Sequence, residues 1–358
     1  FRDLARARSA MAIVRGDMGE AAPLLARAHS SCVTSECLGA CDCDCADQLE
    51  GALAMMARAG RGVLFYLMQE GRGAGLTAKA RDRMIVQASG HRMTTFEAFA
   101  EMGLPSDLRS YEELAPMARW LGIRAPLRLL TNNPEKAEAV ERALRPEKIE
   151  IDGIESIQGP GSPFNADYLD AKERSGHALD LSCRLPGALA PERLGVESPA
   201  PALGAPHLLS TARYLLPIAF SDEPVVDWFP LRIVFDRRSA RETIVLSSPW
   251  RAERTAVGTT TEAKRAGDGP RAWHLMQLID RLPGRGGVGR RALQESLRAM
   301  RGRSGGAVVI DFEDTEPGDV SRDGGASWRE DGRARAEEIL EARWPSEPGG
   351  RDAADAED

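Results

Sequence analysis

Cys43 and Cys45 stand one residue apart, and Cys32 precedes them by eleven. Two thiols so spaced reach one ion only where the backbone between them turns. A third from a neighbouring segment gives three protein ligands and leaves tetrahedral Zn²⁺ one open position for water, the arrangement of catalytic sites. Such an ion brings the pKa of its water toward ~7. Cys37 and Cys41 lie in the same fourteen-residue stretch, so a closed four-cysteine structural site, or simply buried thiols, fits the spacing as well. The sixth cysteine, Cys183, stands alone. Six cysteines in 358 residues are too sparse for a disulfide scaffold. Their clustering points to metal or redox chemistry in a reducing, cytoplasmic compartment.

Three further segments carry groups suited to an anionic ligand. The run Glu70-Gly71-Arg72-Gly73-Ala74-Gly75 lets backbone approach a ligand closely, and Arg72 suits bidentate phosphate contact. It lacks Walker or full dinucleotide spacing, so a plain glycine turn is the bland alternative. Asp107 and Arg109 set a carboxylate and a guanidinium two residues apart after a turn at 103–105, where a loop salt bridge is the simpler reading. Thr131, Asn132, Asn133 and Lys136 open a helix, whose backbone N–H groups favour anions; an ordinary cap with an exposed lysine is the competing account.

The elements that must position these groups alternate. Strands are expected at Met11–Val14, Val63–Leu67 and Arg128–Leu130. Helices are expected at Asp47–Ala59, Leu76–Gln87, Phe96–Met102, Tyr111–Leu121 and Glu135–Leu144. This gives an α/β domain over residues 1–183. Residues 184–207 are rich in Pro and Ala and read as a linker. Strands at Leu231–Phe235, Thr243–Leu246 and Ala307–Phe312, with helices at Ala272–Leu282 and Arg291–Met300, suggest a smaller appended α/β domain over 208–344. The acidic tail 345–358 reads as disordered.

A 42% hydrophobic and 28% charged composition is that of a globular protein. No apolar run approaches the ~18 residues of a membrane span. The net charge of −7 opposes nucleic acid or an acidic membrane as default partners.

Taken in order, several runs resemble the GTP cyclohydrolase II family. They are Arg27-Ala28-His29-Ser30-Ser31-Cys32, Cys43-Asp44-Cys45 with Gln48-Leu49, and Gln69 to Leu76. Thr95 to Ala98, Gly103 to Arg109, Leu129 to Pro134 with Lys136, and Asn165, Tyr168-Leu169, Lys172 and Gly176-His177 follow. The resemblance covers residues ~10–180, about half of the chain, and its first strand would begin upstream of Phe1, as in an N-terminally truncated chain. It implies a mixed sheet with helices and a homodimer. One Zn²⁺ per chain would be held by Cys32, Cys43 and Cys45, with Cys37 and Cys41 outside the pattern, and Mg²⁺ would accompany the substrate. Zinc-bound hydroxide would open the guanine imidazole ring of GTP at C8. Arg109 would be the nucleophile toward the α-phosphate, with Asp107 as its proton acceptor. Arg27, Gln48, Glu70, Gly71, Arg72, Thr95, Thr131 and Lys136 would contact GTP. The implied products are pyrophosphate, formate and a diaminopyrimidine ribosylamino phosphate, as in riboflavin biosynthesis.

Three departures bear on that expectation. Ser31 stands where the family usually has Glu, and Asp42 where it has Arg. Ala80–Met84 offers no Tyr where the family carries one in the helix after the glycine loop, and that Tyr is thought to assist formate release. A ring-opened product that retains its formyl group, formed in a specialised pathway, is therefore the first alternative. Another purine or pyrimidine nucleotide as substrate is a second. A catalytically degenerate nucleotide-binding scaffold is a third. His91, His177, His207 and His274 read as structural.

Overall fold

The computed structural model describes residues 1–3, 8–181, 186–220, 226–247 and 307–311, together with individual positions between 293–300 and 338–344. Cys183, the expected helix Ala272–Leu282, His274 and the tail 345–358 lie outside the described residues. The chain divides into two compact units: Phe1–Gly75 with Thr94–Ala188, and Leu76–Met93 with the described residues from Leu189 onward. No helix among the described residues is long and apolar enough to cross a membrane.

The first unit is built on a six-stranded mixed sheet. Its strands are β1 (Arg2–Asp3), β2 (Arg8–Arg15), β3 (Leu24–Ser30), β4 (Gly62–Leu67), β5 (Leu127–Leu130) and β6 (Ile151–Glu155), in the order β1-β2-β4-β3-β5-β6. β1 and β2 join antiparallel, and β2 is antiparallel to β4; β4, β3, β5 and β6 run parallel. Successive side chains of a strand point to opposite faces, and here the faces differ in chemistry. Leu24, Ala26, Ala28, Val63, Phe65, Leu67, Leu127 and Leu129 share one hydrophobic cluster with residues of α4 (Leu114–Trp120) and α5 (Pro134–Leu144). The alternate positions Arg27, His29 and Tyr66 lie on the other face, and all three are buried. Helix α1 (Cys45–Ala59) contacts β3 and β4. A Cβ on Gly62 would lie 2.4 Å from Met56 Cγ, so the strand's first residue must be glycine for the helix to sit this close. α3 (Thr95–Glu101) opens with a capping box between Thr94 and Glu97, and α6 (Ala166–Arg174) completes the unit.

The second unit is a five-stranded antiparallel sheet of β7 (Ala200–Ala202), β8 (Ala205–Ala219), β9 (Val226–Asp236), β10 (Arg241–Ser247) and β11 (Ala307–Asp311), in the order β11-β10-β9-β8-β7. Two features differ from the sequence expectation. The end of the Pro/Ala-rich stretch is strand: Pro201 sits in three-residue β7 at the sheet edge, where proline is tolerated. Helix α2 (Leu76–Ala88), expected in the first domain, packs within the second unit.

The reason lies in backbone hydrogen bonds. β7 pairs with β8 only as far as Ser210, so β8 beyond it has an open edge. α2 closes that edge with side chains about one turn apart. Arg81 Nη1 donates to Thr211 O (2.9 Å), Met84 Sδ accepts from Arg213 N (3.5 Å), and Gln87 both donates to Leu215 O (2.5 Å) and accepts from Leu215 N (2.9 Å). The Gln87 amide thus does for Leu215 what a neighbouring strand would do. In the expected C-terminal helix, Leu293, Leu297 and Met300 are helical and buried.

Removing one buried hydrogen-bond partner costs about 1–3 kcal/mol for each group left unpaired. Gln87→Leu leaves two such groups, so we expect it to destabilise the protein by about 2–6 kcal/mol in urea unfolding, several times the cost of Gln158→Leu at the surface. Equal midpoints for the two variants would contradict this account of the edge.

Candidate metal and nucleotide site

The three cysteines of the spacing argument come together. The sulfur atoms of Cys32, Cys43 and Cys45 all lie within 4.8 Å of one another, and Cys32 Sγ to Cys43 Sγ is 3.8 Å. A tetrahedral ion with Zn–S bonds of ~2.3 Å requires sulfurs about 3.8 Å apart, so the donor set fits zinc. Hydrogen bonding to Cys32 and Cys43, followed by burial, pushes the Cys45 thiol well above its ordinary pKa, so the cluster is protonated unless a cation binds it. Three thiolates at this spacing are stable only around positive charge. Cys37 and Cys41 are not members of the group, which disfavours the four-cysteine alternative among the described residues. The Cys41 thiol is pushed up to about 12, chiefly by burial and then by Asp42.

Two segments deliver these thiols. Cys32 ends the turn after β3 and enters one turn of π-helix, Val33–Cys37, in which Glu36 N donates to Cys32 O (2.8 Å). Glu70 anchors the same turn by accepting from Val33 N at 2.6 Å. Cys43 and Cys45 straddle Asp44, and Cys45 is the first residue of α1, where the helix dipole favours a thiolate. Ala46 N donates to Ser35 Oγ (3.2 Å), joining the two segments directly. The Asp44 carboxylate makes no cap hydrogen bond to its helix. It accepts from Lys172 Nζ (2.5 Å) and Gln48 Nε2 (2.7 Å). Burial works to lower the Lys172 ammonium, but Asp44 outweighs it and holds the lysine charged.

Beside the thiols lies a set of cations. Arg27 is buried, donating to Gln48 Oε1 (2.5 Å), Leu130 O (2.8 Å) and His29 Nδ1 (3.3 Å). Burial lowers its guanidinium to about 10, with Asp44 and Cys45 opposing the change. Arg109 and Asp107 form a forked pair; Arg109 Nε lies 2.9 and 3.0 Å from the two carboxylate oxygens. Burial would lower Arg109, but the Asp107 hydrogen bonds prevail and raise it. Lys136 is buried, and burial followed by Arg27 and Arg109 pushes it well below its ordinary value. The helix-start reading of Thr131–Lys136 is met as a cap: Asn133 Oδ1 accepts from Lys136 N (3.2 Å), and Thr131 Oγ1 accepts from Asn133 N (3.1 Å). The lysine side chain, however, is not exposed.

The glycine loop is stitched to the Asp107–Arg109 segment. Leu108 N donates to Arg72 O (2.9 Å), and Ser110 N donates to Gln69 Oε1 (3.1 Å). A Cβ on Gly73 would lie 2.6 Å from Leu108 O, which requires glycine there. Arg72 has a left-handed backbone (φ 55°) and sets its guanidinium 4.1 Å from the centre of the Phe96 ring. Thr95, the first residue of α3, is buried.

Lys172 and Tyr168 stand in a matched run without an assigned role, and His177 reads as structural. α6 brings Lys172 to Asp44 and places Tyr168 4.7 Å from the lysine nitrogen by ring centre. His177 follows the helix, with Nδ1 3.1 Å from Ser175 Oγ. Their signal was the i, i+4 spacing of Tyr168 and Lys172 on one helix face, which identifies no partner until the fold brings Asp44 across.

Comparison with known proteins agrees with this geometry. The GTP cyclohydrolase II family profile matches residues 1–148. A GTP cyclohydrolase-2 from Shigella boydii serotype 18 is 41% identical over 182 residues, covering 50% of this chain and 88% of that protein. Riboflavin biosynthesis proteins RibBA from Bacillus mycoides (strain KBAB4) and Bacillus cereus (strain ATCC 10987) are each 41% identical, over 172 and 174 residues. The chain spans 41% of the length of each of these two relatives, and the match takes up 48% of the chain. The fold and the site define a mixed-sheet α/β scaffold with three thiols placed so that they could hold a metal ion. The chain belongs to the GTP cyclohydrolase II family.

Burial first, then Lys172, Arg109 and Arg72, lowers the His177 imidazole to about 4. An unfolded histidine takes its proton near pH ~6.5, so between these values the unfolded chain binds more protons and stability falls as pH falls. We expect His177→Gln to flatten the acid limb of the stability profile between about pH 6.5 and 4, read as urea midpoint against pH. An unchanged limb would show that the imidazole is not held neutral.

Proposed function

We propose that this protein is a metal-dependent hydrolase that opens the guanine imidazole ring of GTP and releases pyrophosphate. The observation that supports this reading best is a three-thiol centre beside a partly buried cationic cluster that matches a triphosphate. Zn²⁺ bound by Cys32, Cys43 and Cys45 would supply a Lewis acid and an activated water for attack at guanine C8. Mg²⁺ would arrive on the triphosphate, since it is usually held by phosphates and water with few protein ligands.

The protein's own groups then divide the work. Lys136 and Arg72 meet phosphate oxygens, and Lys136 takes up a full charge once those oxygens offset its neighbours. Glu70, by accepting from Val33 N and Gly71 N, fixes the loop on which the nucleotide rests. Gly71, Thr95 and Thr131 line the nucleotide's path. Arg27 and Gln48 contact GTP from beside Asp44 while bracing the cysteine segment. Arg109 is the nucleophile toward the α-phosphate. Its forked pair with Asp107 holds its proton firmly, so Asp107 must accept that proton within the same pair for the step to proceed. The active form is a homodimer in the cytoplasm, acting in riboflavin-type metabolism.

One observation favours a second product. Of the positions that could stand in for the missing Tyr, Met84 is buried with its sulfur accepting from Arg213 N, and Arg83 supplies no phenol. On that reading the ring opens but the formyl group stays.

Mass spectrometry of the GTP product, with formate and pyrophosphate assayed separately, tests both readings. Pyrophosphate with formate supports full turnover, and pyrophosphate alone supports the formyl-retaining product. Neither, from protein with zinc bound, rules out GTP as substrate. Cys43→Ser should lower turnover by more than about 100-fold, the upper range seen for loss of outer-shell partners alone. A scaffold would show no turnover to lose.

A further inference from the structure

A continuous line of buried polar contacts runs beneath the cysteine segments. From Lys172 it passes to Asp44 (2.5 Å), Gln48 (2.7 Å), Arg27 (2.5 Å), His29 (3.3 Å), Glu36 (2.7 Å) and Tyr66 (2.6 Å). Near one end, Asp44 lies between two of the thiol-bearing residues, Cys43 and Cys45. Toward the other end, Glu36 lies in the π-turn and binds the Cys32 carbonyl through its own N–H. The middle stands on the polar face of the sheet, where His29 pairs with Tyr66 across β3 and β4 and their rings stack at 5.6 Å.

Each contact fixes the next. An arginine Nε always carries its hydrogen, so His29 Nδ1 must accept, and Nε2–H donates to Glu36. The second Glu36 oxygen accepts from the Tyr66 hydroxyl. Two cations, Lys172 and Arg27, balance two carboxylates, Asp44 and Glu36, so the line is neutral overall. That balance allows it to be buried at tolerable cost.

We infer that this line is a positioning relay, in which Glu36, His29 and Tyr66 hold the Cys32 segment against the Cys43–Cys45 segment at metal-binding separation. The inference rests on the reading of the three thiols as a metal site and not on GTP as substrate. Glu36 is not in the three-cysteine group that could hold the ion, and Tyr66 meets that group through Glu36. They act through the π-turn that carries Cys32, just as outer partners elsewhere hold a ligand in place.

The test is the zinc affinity of the full-length protein, by competition with a chromophoric chelator. The thiolate-to-metal absorption of the Co²⁺-loaded protein is a second readout. We expect Glu36→Gln to weaken zinc binding by about 10–100-fold and Tyr66→Phe to weaken it several-fold, each with altered Co²⁺ absorption. Phe65→Leu, on the apolar face of the same strand, should lower Tm but leave zinc affinity within about twofold. If Glu36→Gln does not fold, Tyr66→Phe carries the test. The relay is overturned if the folded variants keep the affinity and spectrum of the parent, if Phe65→Leu weakens zinc as much as they do, or if the parent binds no zinc. A parent that binds zinc tightly yet leaves GTP intact would overturn the proposed function while the affinity comparison still decides the relay.

Discussion

Three sulfur atoms within 4.8 Å of one another, those of Cys32 and Cys43 buried and that of Cys45 on a half-buried residue, are the constraint around which the first unit is organised. Thiols in such a cluster resist ionising together, because each new negative charge raises the others. A bound cation would lift that restraint. Without one, hydrogen bonds from Cys32 and Cys43, then burial, hold the Cys45 thiol protonated, even at the start of α1 with Arg27 and Lys172 in electrostatic reach.

The sheet's division of faces makes that arrangement affordable. On one side, Leu24, Ala26, Ala28, Val63, Phe65 and Leu67 pack against α4 and α5 and supply the hydrophobic stabilisation. On the other, Arg27, His29 and Tyr66 occupy the alternate positions of the same strands. Strand periodicity alone keeps these sets apart, so rigidity generated on the apolar side is passed directly to the polar side. The glycine loop uses a different device. Gly73 approaches the Leu108 backbone too closely for any side chain, and Leu108 lies between Asp107 and Arg109. Loop and ion pair are thus one unit in position, although 34 residues separate Gly73 from Asp107.

Much of this was legible in the sequence. The Cys32, Cys43 and Cys45 spacing pointed to a shared ion, and the helices from Cys45 to Leu144 lie within a few residues of where periodicity placed them. β3 was not legible: past Leu24 the apolar side of Leu24–Ser30 offers only the small side chains of Ala26 and Ala28, so its alternation is weak. Lys172 is 128 residues from Asp44, and no local pattern announces a contact at that range. Lys136 read as an exposed cap residue because its cap is ordinary; its burial follows from the packing of α5 against the sheet. The Pro/Ala-rich stretch looked like linker because proline usually interrupts strands, yet at the edge of a sheet the missing N–H costs nothing.

Helix α2 shows how one segment can be shaped by a demand other than catalysis. The chain leaves the first unit at Gly75 and returns at Thr94. In between, Arg81, Met84 and Gln87 complete the hydrogen bonding of alternate β8 residues 211, 213 and 215. Here the sulfur at position 84 meets a backbone N–H that would otherwise be left at an open strand edge. A phenol in place of that side chain would have to seat its ring where Met84 is now wholly enclosed, and would give up the sulfur that accepts from Arg213 N.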